Sequence, residues 1–555
     1  MHPSRRRWLA TGLALLGPAG PVAGQQGTWA LINARIETVT RGTIDRGTLL
    51  LRDGLIVGVG TGLAVPPEAV VLDLGGRTVS PGVIDLISTA GLPSIPAPAT
   101  PPASSQPVRP AGLEPERMVG ESVRLPASDA QSLRRSGITA ILVAPSRGLF
   151  RGQSALVPTR DSAGPTDVIR SPVAQHLGYQ GVGSGEYPGS LLGVIAMQRQ
   201  MFYDAQRYGV VDERWRANPR GVPRPERDPR LEALVPAARG AEPVWIDARN
   251  ENEIRRARRL AQELGLNLTV AGATEGWRAL DALRGAGVVV SLDFPRPTEV
   301  TGWRFRTGLQ HSPDDSAAAD TAARKLVERN AAAIHGAGIR FALSSGGRPS
   351  ELITSARKVI AAGLPAAVAL EALTIRAAEL AGVGEALGSI ETGKIANLVV
   401  STGPLLADSS RITMIFVDGQ RYTLETEGRK DGTTERNATG GATTGGRADG
   451  PTGSVSLGGA WAITANSPQG AMESTLTVQQ QAASFTGTMS SQMLGSTPVG
   501  DGVITGKRVT WSVTVTFGGQ SFTISYAGEV EGTKMTGTVT AGSFGSFPFT
   551  GEKKP

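Results

Sequence analysis

From Trp29 to Val79 apolar residues recur at every second position in the short runs ALINARIETV, GTLLLRDGLIVGVG and AVVLDLGGRTV, with turn residues between them. A period of two bounded by Gly and Asp predicts a small β unit. Beyond Val79 the rhythm changes. Apolar β-type runs (VIDLIST, ITAILVA, VWIDA, LTVAG, VVVSL, IRFALSS) alternate with stretches of helical spacing at 190–208, 251–264 and 321–335. That alternation predicts a parallel sheet with crossover helices, closed or open. After Leu387 strand patterns return in LGSIETGKIANLVVSTGPL and ITMIFVDGQRYTLE. From Val455 to Glu552 the alternating runs STLTVQQQ, SFTGTMS, RVTWSVTVTF, SFTISYAGEV and KMTGTVTAG are joined by tight Gly turns. This last part predicts an antiparallel meander closed into a small barrel.

Two stretches break the middle rhythm, Pro93 to Pro110 and the Arg- and Pro-rich ERWRANPRGVPRPERDPR from Glu213 to Arg230. Both read as surface loops, and the charges of the second as a solvated face with no aromatic stacking partners. At 555 residues the chain exceeds one hydrophobic core. The expected divisions are a leader at 1–24, a β unit at 25–80, an α/β body at 81–387, returning strands at 388–427, a Gly- and Thr-rich linker at 428–453 and the β-barrel at 454–555.

The leader carries Arg5, Arg6 and Arg7 ahead of an apolar run from Trp8 to Leu16 and small residues near Gly24, the layout of an export signal. The apolar run is too short to cross a bilayer, and no later segment is long and apolar enough. The expectation is an exported protein, periplasmic or secreted, without a membrane span; the basic run fits either a general or a twin-arginine signal. There is no cysteine, which excludes disulfides, thiolate ligands and a cysteine nucleophile. Taking three arginines from a net charge of +7 leaves +4, too mild to imply nucleic acid.

The segment VSPGVIDLISTAGLP resembles the point at which amidohydrolases of the imidazolonepropionase-like branch leave their N-terminal β unit and begin barrel strand one. The run ALEALTIRAAELAGVGEALGSIETGKIANLVV, followed by MIFVDGQRY, is similar to that family's closing helices and returning strands. The resemblance covers residues 29 to 425. It implies a TIM-like (β/α)8 barrel flanked by a split, composite β-sandwich, an active site at the C-terminal ends of the strands, and a Zn or other divalent cofactor for cleaving C–N bonds.

The same resemblance marks what is replaced. The family's histidine pair on strand one falls at Ile87 and Thr89, a mid-barrel histidine at Asp247, and the strand-eight aspartate at Gly346. An aliphatic side chain has no lone pair, a threonine hydroxyl is a poor ligand, and glycine offers nothing. Of four histidines, His2 lies in the leader, and none lies between His176 and His311. His176 and His311 are expected in loops, His335 in a helix. No HxH, HExxH or GxSxG motif is present, so serine chemistry is unsupported.

Two readings stand. The preferred one is a non-catalytic member of the family with no cofactor, whose barrel mouth, including Asp85, Thr89, Glu186, Asp247 and Ser345, binds a small molecule, or whose surface takes a protein partner, as a homo-oligomer or beside an active relative. The other is an active C–N hydrolase with a rebuilt carboxylate site drawn from Asp85, Glu186, Asp247 and Asp293. The simpler role for Asp85 and Asp247 is to accept backbone hydrogen bonds and pair with neighbours such as Arg249, and Ser344 and Ser345 read as strand-end hydrogen bonders. In the terminal barrel, Trp461, Trp511, Phe485, Phe517 and Phe522 are expected to fill the interior rather than line a ligand cup.

Overall fold

The computed structural model describes residues 27–93, 112–179, 188–221, 223–294, 313–424, 457–467, 470–481, 484–491, 495–517, 520–541 and 546–554. The leader, the Pro-rich stretch 94–110, Glu186, His311 and the linker expected at 428–453 lie outside them. The chain falls into two compact units, one within residues 1–430 and one within 431–555.

In the first unit, strands β1 (Trp29–Glu37), β2 (Thr43–Arg52), β3 (Leu55–Gly60), β4 (Val70–Asp73) and β5 (Thr78–Pro81) share a sheet with β15 (Leu398–Ser401), β16 (Ile412–Val417) and β17 (Gln420–Thr423). The joint is the antiparallel pairing of β5 with β15, where Val79 faces Val400. Residues over 300 positions apart thus form one eight-stranded sheet, and its buried face packs Leu31, Ile36, Leu49, Leu51 and Ile56 against Ile390, Leu398 and Phe416. On β2 the alternation puts Leu49 and Leu51 on this side, while on β1 irregular pairing between Leu31 and Ile36 shifts the alternation so that both reach it.

The barrel strands are β6 (Val83–Ser88), β7 (Ile138–Val143), β8 (Phe150–Gln153), β9 (Ala155–Pro158), β10 (Gln175–Leu177), β11 (Val244–Asp247), β12 (Leu268–Gly272), β13 (Gly287–Ser291) and β14 (Ala342–Ser344). β6 and β7 are parallel, as is the series from β10 to β14. Between β7 and β10 the chain runs the other way: β9 pairs antiparallel with β7 and β8 antiparallel with β10. This nearly continuous segment, 150–158, departs from the all-parallel expectation. It follows β7 after only a short turn, and a connection that short can make only an antiparallel neighbour.

Each barrel strand alternates between two cores. Val244 and Ile246, Val288 and Val290, and Leu343 face the outer helices, while Trp245, Ala271, Val289 and Ala342 face inward with Ile84, Leu86, Ala140 and Leu142. The helix Glu251–Leu264 shows why the outer layer forms. Asn250 Oδ1 accepts from the Glu253 amide at 3.1 Å, Glu253 bonds back to the Asn250 amide, and Gly265 ends the helix at φ 69°. Ile254, Ala257, Leu260, Ala261 and Leu264 make its buried stripe. The helix expected at 190–208 runs on as Leu191–Ala217, so Glu213 to Ala217 are helical rather than loop.

The second unit is a closed barrel of eight antiparallel strands in chain order, β18 (Gly459–Ser467), β19 (Gly470–Gln481), β20 (Ser484–Ser491), β21 (Gly495–Thr505), β22 (Arg508–Phe517), β23 (Gln520–Glu531), β24 (Lys534–Ala541) and β25 (Ser546–Lys553), with β25 pairing back to β18. Closure leaves no edge strand to aggregate. Trp461, Phe485 and Trp511 are buried inside; Trp511 stacks on Tyr526 at 4.8 Å and meets Phe549 edge-on. The side chains of Phe517 and Phe522 lie outside the described residues. No described helix of the chain is long and apolar enough to cross a membrane.

Candidate functional site

Asp85, within β6, meets Ser344 and Ser345 at the C-terminal end of β14. The Ser344 and Ser345 hydroxyls each donate to the Asp85 carboxylate at 2.5 Å, and the Ser345 amide donates to Oδ1 at 2.9 Å. Asp85 and both serines are buried. Burial pushes the Asp85 carboxyl above its ordinary range, and the Ser344, Ser345 and Ile87 hydrogen bonds pull the other way. The group ties β14 to β6, two strands 259 residues apart in sequence. It is a clasp between strands.

Asp247, at the end of β11, is held by Arg151 of β8 at 2.6 Å; the arginine side chain is 6% exposed. The expected neighbour Arg249 pairs instead with Asp293, also at 2.6 Å. Arg249 lies beyond the end of β11 and reaches across to the segment after β13. Nothing in the spacing of Arg151 and Asp247 along the chain pointed to their meeting.

Thr89 does not join them. β6 ends at Ser88, and Thr89 is exposed in the turn that follows, its carbonyl accepting from the Leu92 amide. Glu186 lies outside the described residues. His176 corrects the loop expectation: it is the central residue of β10, in register with Trp245, and the two rings pack at 5.5 Å. A three-residue strand is too short for periodicity to reveal. Desolvation, and then the Arg151 charge, push the His176 pKa down to about 3, so the ring is neutral. His335 lies in the helix Pro313–Gly336, as expected.

Several inward-facing polar atoms have no hydrogen-bond partner in the protein: His176 Nε2, Trp245 Nε1, Ser291 Oγ and Asp293 Oδ1. Trp245 Nε1 donates, Asp293 Oδ1 accepts, and His176 Nε2 and Ser291 Oγ can do either, so the barrel lining retains unused capacity to bind a polar molecule.

The donor set does not fit the family's metal. Ile87 has no donor atom, Thr89 points from an exposed turn, and Asp247 already faces a guanidinium. Gly346 has φ 63°, and a Cβ built there would sit 2.1 Å from Ser291 Oγ and 2.7 Å from the Asp293 carboxyl. A side chain at that position would require the Ser291 and Asp293 side chains to move. Among the described residues no cluster of three His, Asp or Glu side chains could hold a metal ion.

Residues 249–422 match the model of the amidohydrolase family. Among solved structures, an amidohydrolase from Thermotoga maritima MSB8 aligns with a TM-score of 0.57 at 21% identity, covering 71% of this chain and 100% of that one. A Xaa-Pro dipeptidase with methionine bound in its active site aligns at 0.42 and 16% identity, covering 71% and 100%. An adenosine deaminase from Xanthomonas campestris with bound zinc aligns at 0.35 and 14% identity, covering 71% and 92%. Of these the first speaks to the fold, a TIM-barrel domain, and at its identity to the fold alone. No curated protein matches the chain. Over residues 249–422 the chain resembles the amidohydrolase family, the family to which the sequence motifs pointed.

Proposed function

We propose that this is an exported, non-catalytic member of the superfamily whose barrel mouth binds a small polar molecule without hydrolysing it. One observation carries the reading. The three described carboxylates put forward for a rebuilt metal site are each held within the protein: Asp85 by two serine hydroxyls and the Ser345 amide, Asp247 by Arg151, and Asp293 through one oxygen by Arg249. A carboxylate shared with a buried guanidinium is a poor ligand, since a metal would have to displace the arginine and leave it buried unpaired. The unpartnered atoms on the barrel lining supply the binding capacity. A composite sandwich around the eight-stranded sheet, and pairing with a second copy or an active relative, belong to the same reading.

The active-hydrolase alternative needs Asp85 and Asp247 free, and neither is. The test is metal content of the mature protein by plasma mass spectrometry, after purification without chelator and again after incubation with zinc, manganese and calcium. The expected result is well below one equivalent retained. Near-stoichiometric, tightly held metal would overturn the reading and return the search to the carboxylates.

A further inference from the structure

Away from the barrel mouth, the first unit has a cleft of about 580 Å³, between the turn after β1, the segment 404–408 and the helices Leu352–Ala361 and Ala366–Leu373. That volume lies within the roughly 300–1,000 Å³ of small-molecule sites. Ile360, Leu370, Leu405 and Leu406 give it an apolar wall. Two charged groups of opposite sign interrupt that wall, Arg357 and Glu37.

Each is only partly satisfied by the protein. Arg357 donates through Nη2 to the Ser410 carbonyl at 3.1 Å, but its Nε is buried with no partner. The Glu37 side chain is 14% exposed, and its ion pair with Arg35 is long, at 4.0 Å. Burial raises the Glu37 carboxyl above its usual range, with the Arg35 charge opposing. The other acids of the cleft differ: Glu371 is bonded to Arg376 at 2.5 Å, and Asp408 lies exposed. A buried donor and a buried carboxylate left short of partners in one apolar cleft each cost free energy, which a ligand carrying the complementary groups would recover.

We propose that this cleft binds a small zwitterion of the aliphatic amino-acid class, its carboxylate accepting from the Arg357 guanidinium, its ammonium donating to Glu37 and its side chain against Ile360, Leu370, Leu405 and Leu406. A fatty acid would leave Glu37 unpaired, and an alkylamine would leave Arg357 unpaired. The charge pattern therefore selects the zwitterion over either.

The experiment titrates the full-length protein calorimetrically with L-leucine, with 4-methylpentanoate, which lacks the ammonium, and with 3-methylbutylamine, which lacks the carboxylate. L-leucine is expected to bind at least about tenfold more tightly than either analogue, the scale of one charge-assisted hydrogen bond. Arg357→Leu should abolish the advantage over 3-methylbutylamine, and Glu37→Gln the advantage over 4-methylpentanoate. No leucine binding, equal affinity for all three probes, or leucine binding unchanged in both variants would each overturn the proposal, the last by placing the ligand elsewhere. Where circular dichroism shows that a variant does not fold, the three-probe comparison on the unmodified protein decides alone. The outcome is independent of metal content at the barrel mouth.

Discussion

Two buried groups beside β10 and β11 should pull the stability of the barrel in opposite directions as pH changes. His176 has its pKa pushed down to about 3 by burial, from an ordinary 6.5. Between those values the unfolded chain takes up a proton that the folded chain refuses, so stability is lost as pH falls. Glu242 is the mirror case. Its carboxylate accepts from Gln153 Nε2 at 3.1 Å through both oxygens, yet burial dominates and raises its pKa to about 7 from 4.5. In that window the folded carboxyl keeps a proton that the unfolded one releases, so stability is gained as pH falls. Linkage applied to these values gives each group about 2 kcal/mol between pH 7 and pH 5, with opposite sign. His176→Leu and Glu242→Gln separate them. The static cost of either substitution cancels in the pH slope. Because the chain forms two compact units, the assay should be local: amide hydrogen exchange of peptides covering β10 and β11 at pH 5, 6 and 7, corrected for intrinsic exchange. His176→Leu should gain about thirtyfold in protection relative to the unmodified protein on going from pH 7 to pH 5, and Glu242→Gln should lose about as much. The unmodified protein should fall between them, and comparison with it removes the contributions of Asp85, Glu37 and Asp418, whose carboxyls burial also raises. Identical slopes in all three proteins, or slopes of the same sign in the two variants, would refute the electrostatic reasoning.

Two further outcomes bear on the strand clasp and on the lost ligand position. Asp85→Ala removes the hydrogen bonds from Ser344, Ser345 and Ile87 and leaves the buried Ser345 amide without its acceptor, so it should cost about 2–4 kcal/mol, read as lost exchange protection in β6 and β14, while Asp85→Asn keeps one acceptor and should cost less. Gly346→Ala should destabilise by more than the roughly 1–2 kcal/mol of its left-handed backbone, because its Cβ meets Ser291 Oγ; Gly347→Ala, at φ 91° with open space around it, should cost the backbone share alone. Equal melting temperatures for the two glycine variants would show that the crowding at Gly346 does not matter.

The sequence by itself determined the local order and much of the architecture. Period-two alternation at 29–79 and 455–552, and the change to alternating strand and helix patterns between them, are properties of neighbouring residues, and such patterns survive without knowledge of the fold. Family resemblance then located the positions where Ile87, Thr89 and Gly346 remove ligand chemistry. What the sequence could not determine was who meets whom. Arg151 and Asp247 are 96 positions apart, Asp85 and Ser344 are 259, and only the tertiary arrangement of the strands sets them within hydrogen-bond distance. His176 looked like a loop residue because three residues carry no period, and only its parallel pairing with β11 turned it inward against Trp245. The antiparallel segment at 150–158 was hidden for the same reason, since each half of it is a four-residue strand. Pattern is a local property of the chain, whereas burial, ion pairing and pKa depend on distances that the chain acquires only when the barrel and the composite sheet have formed.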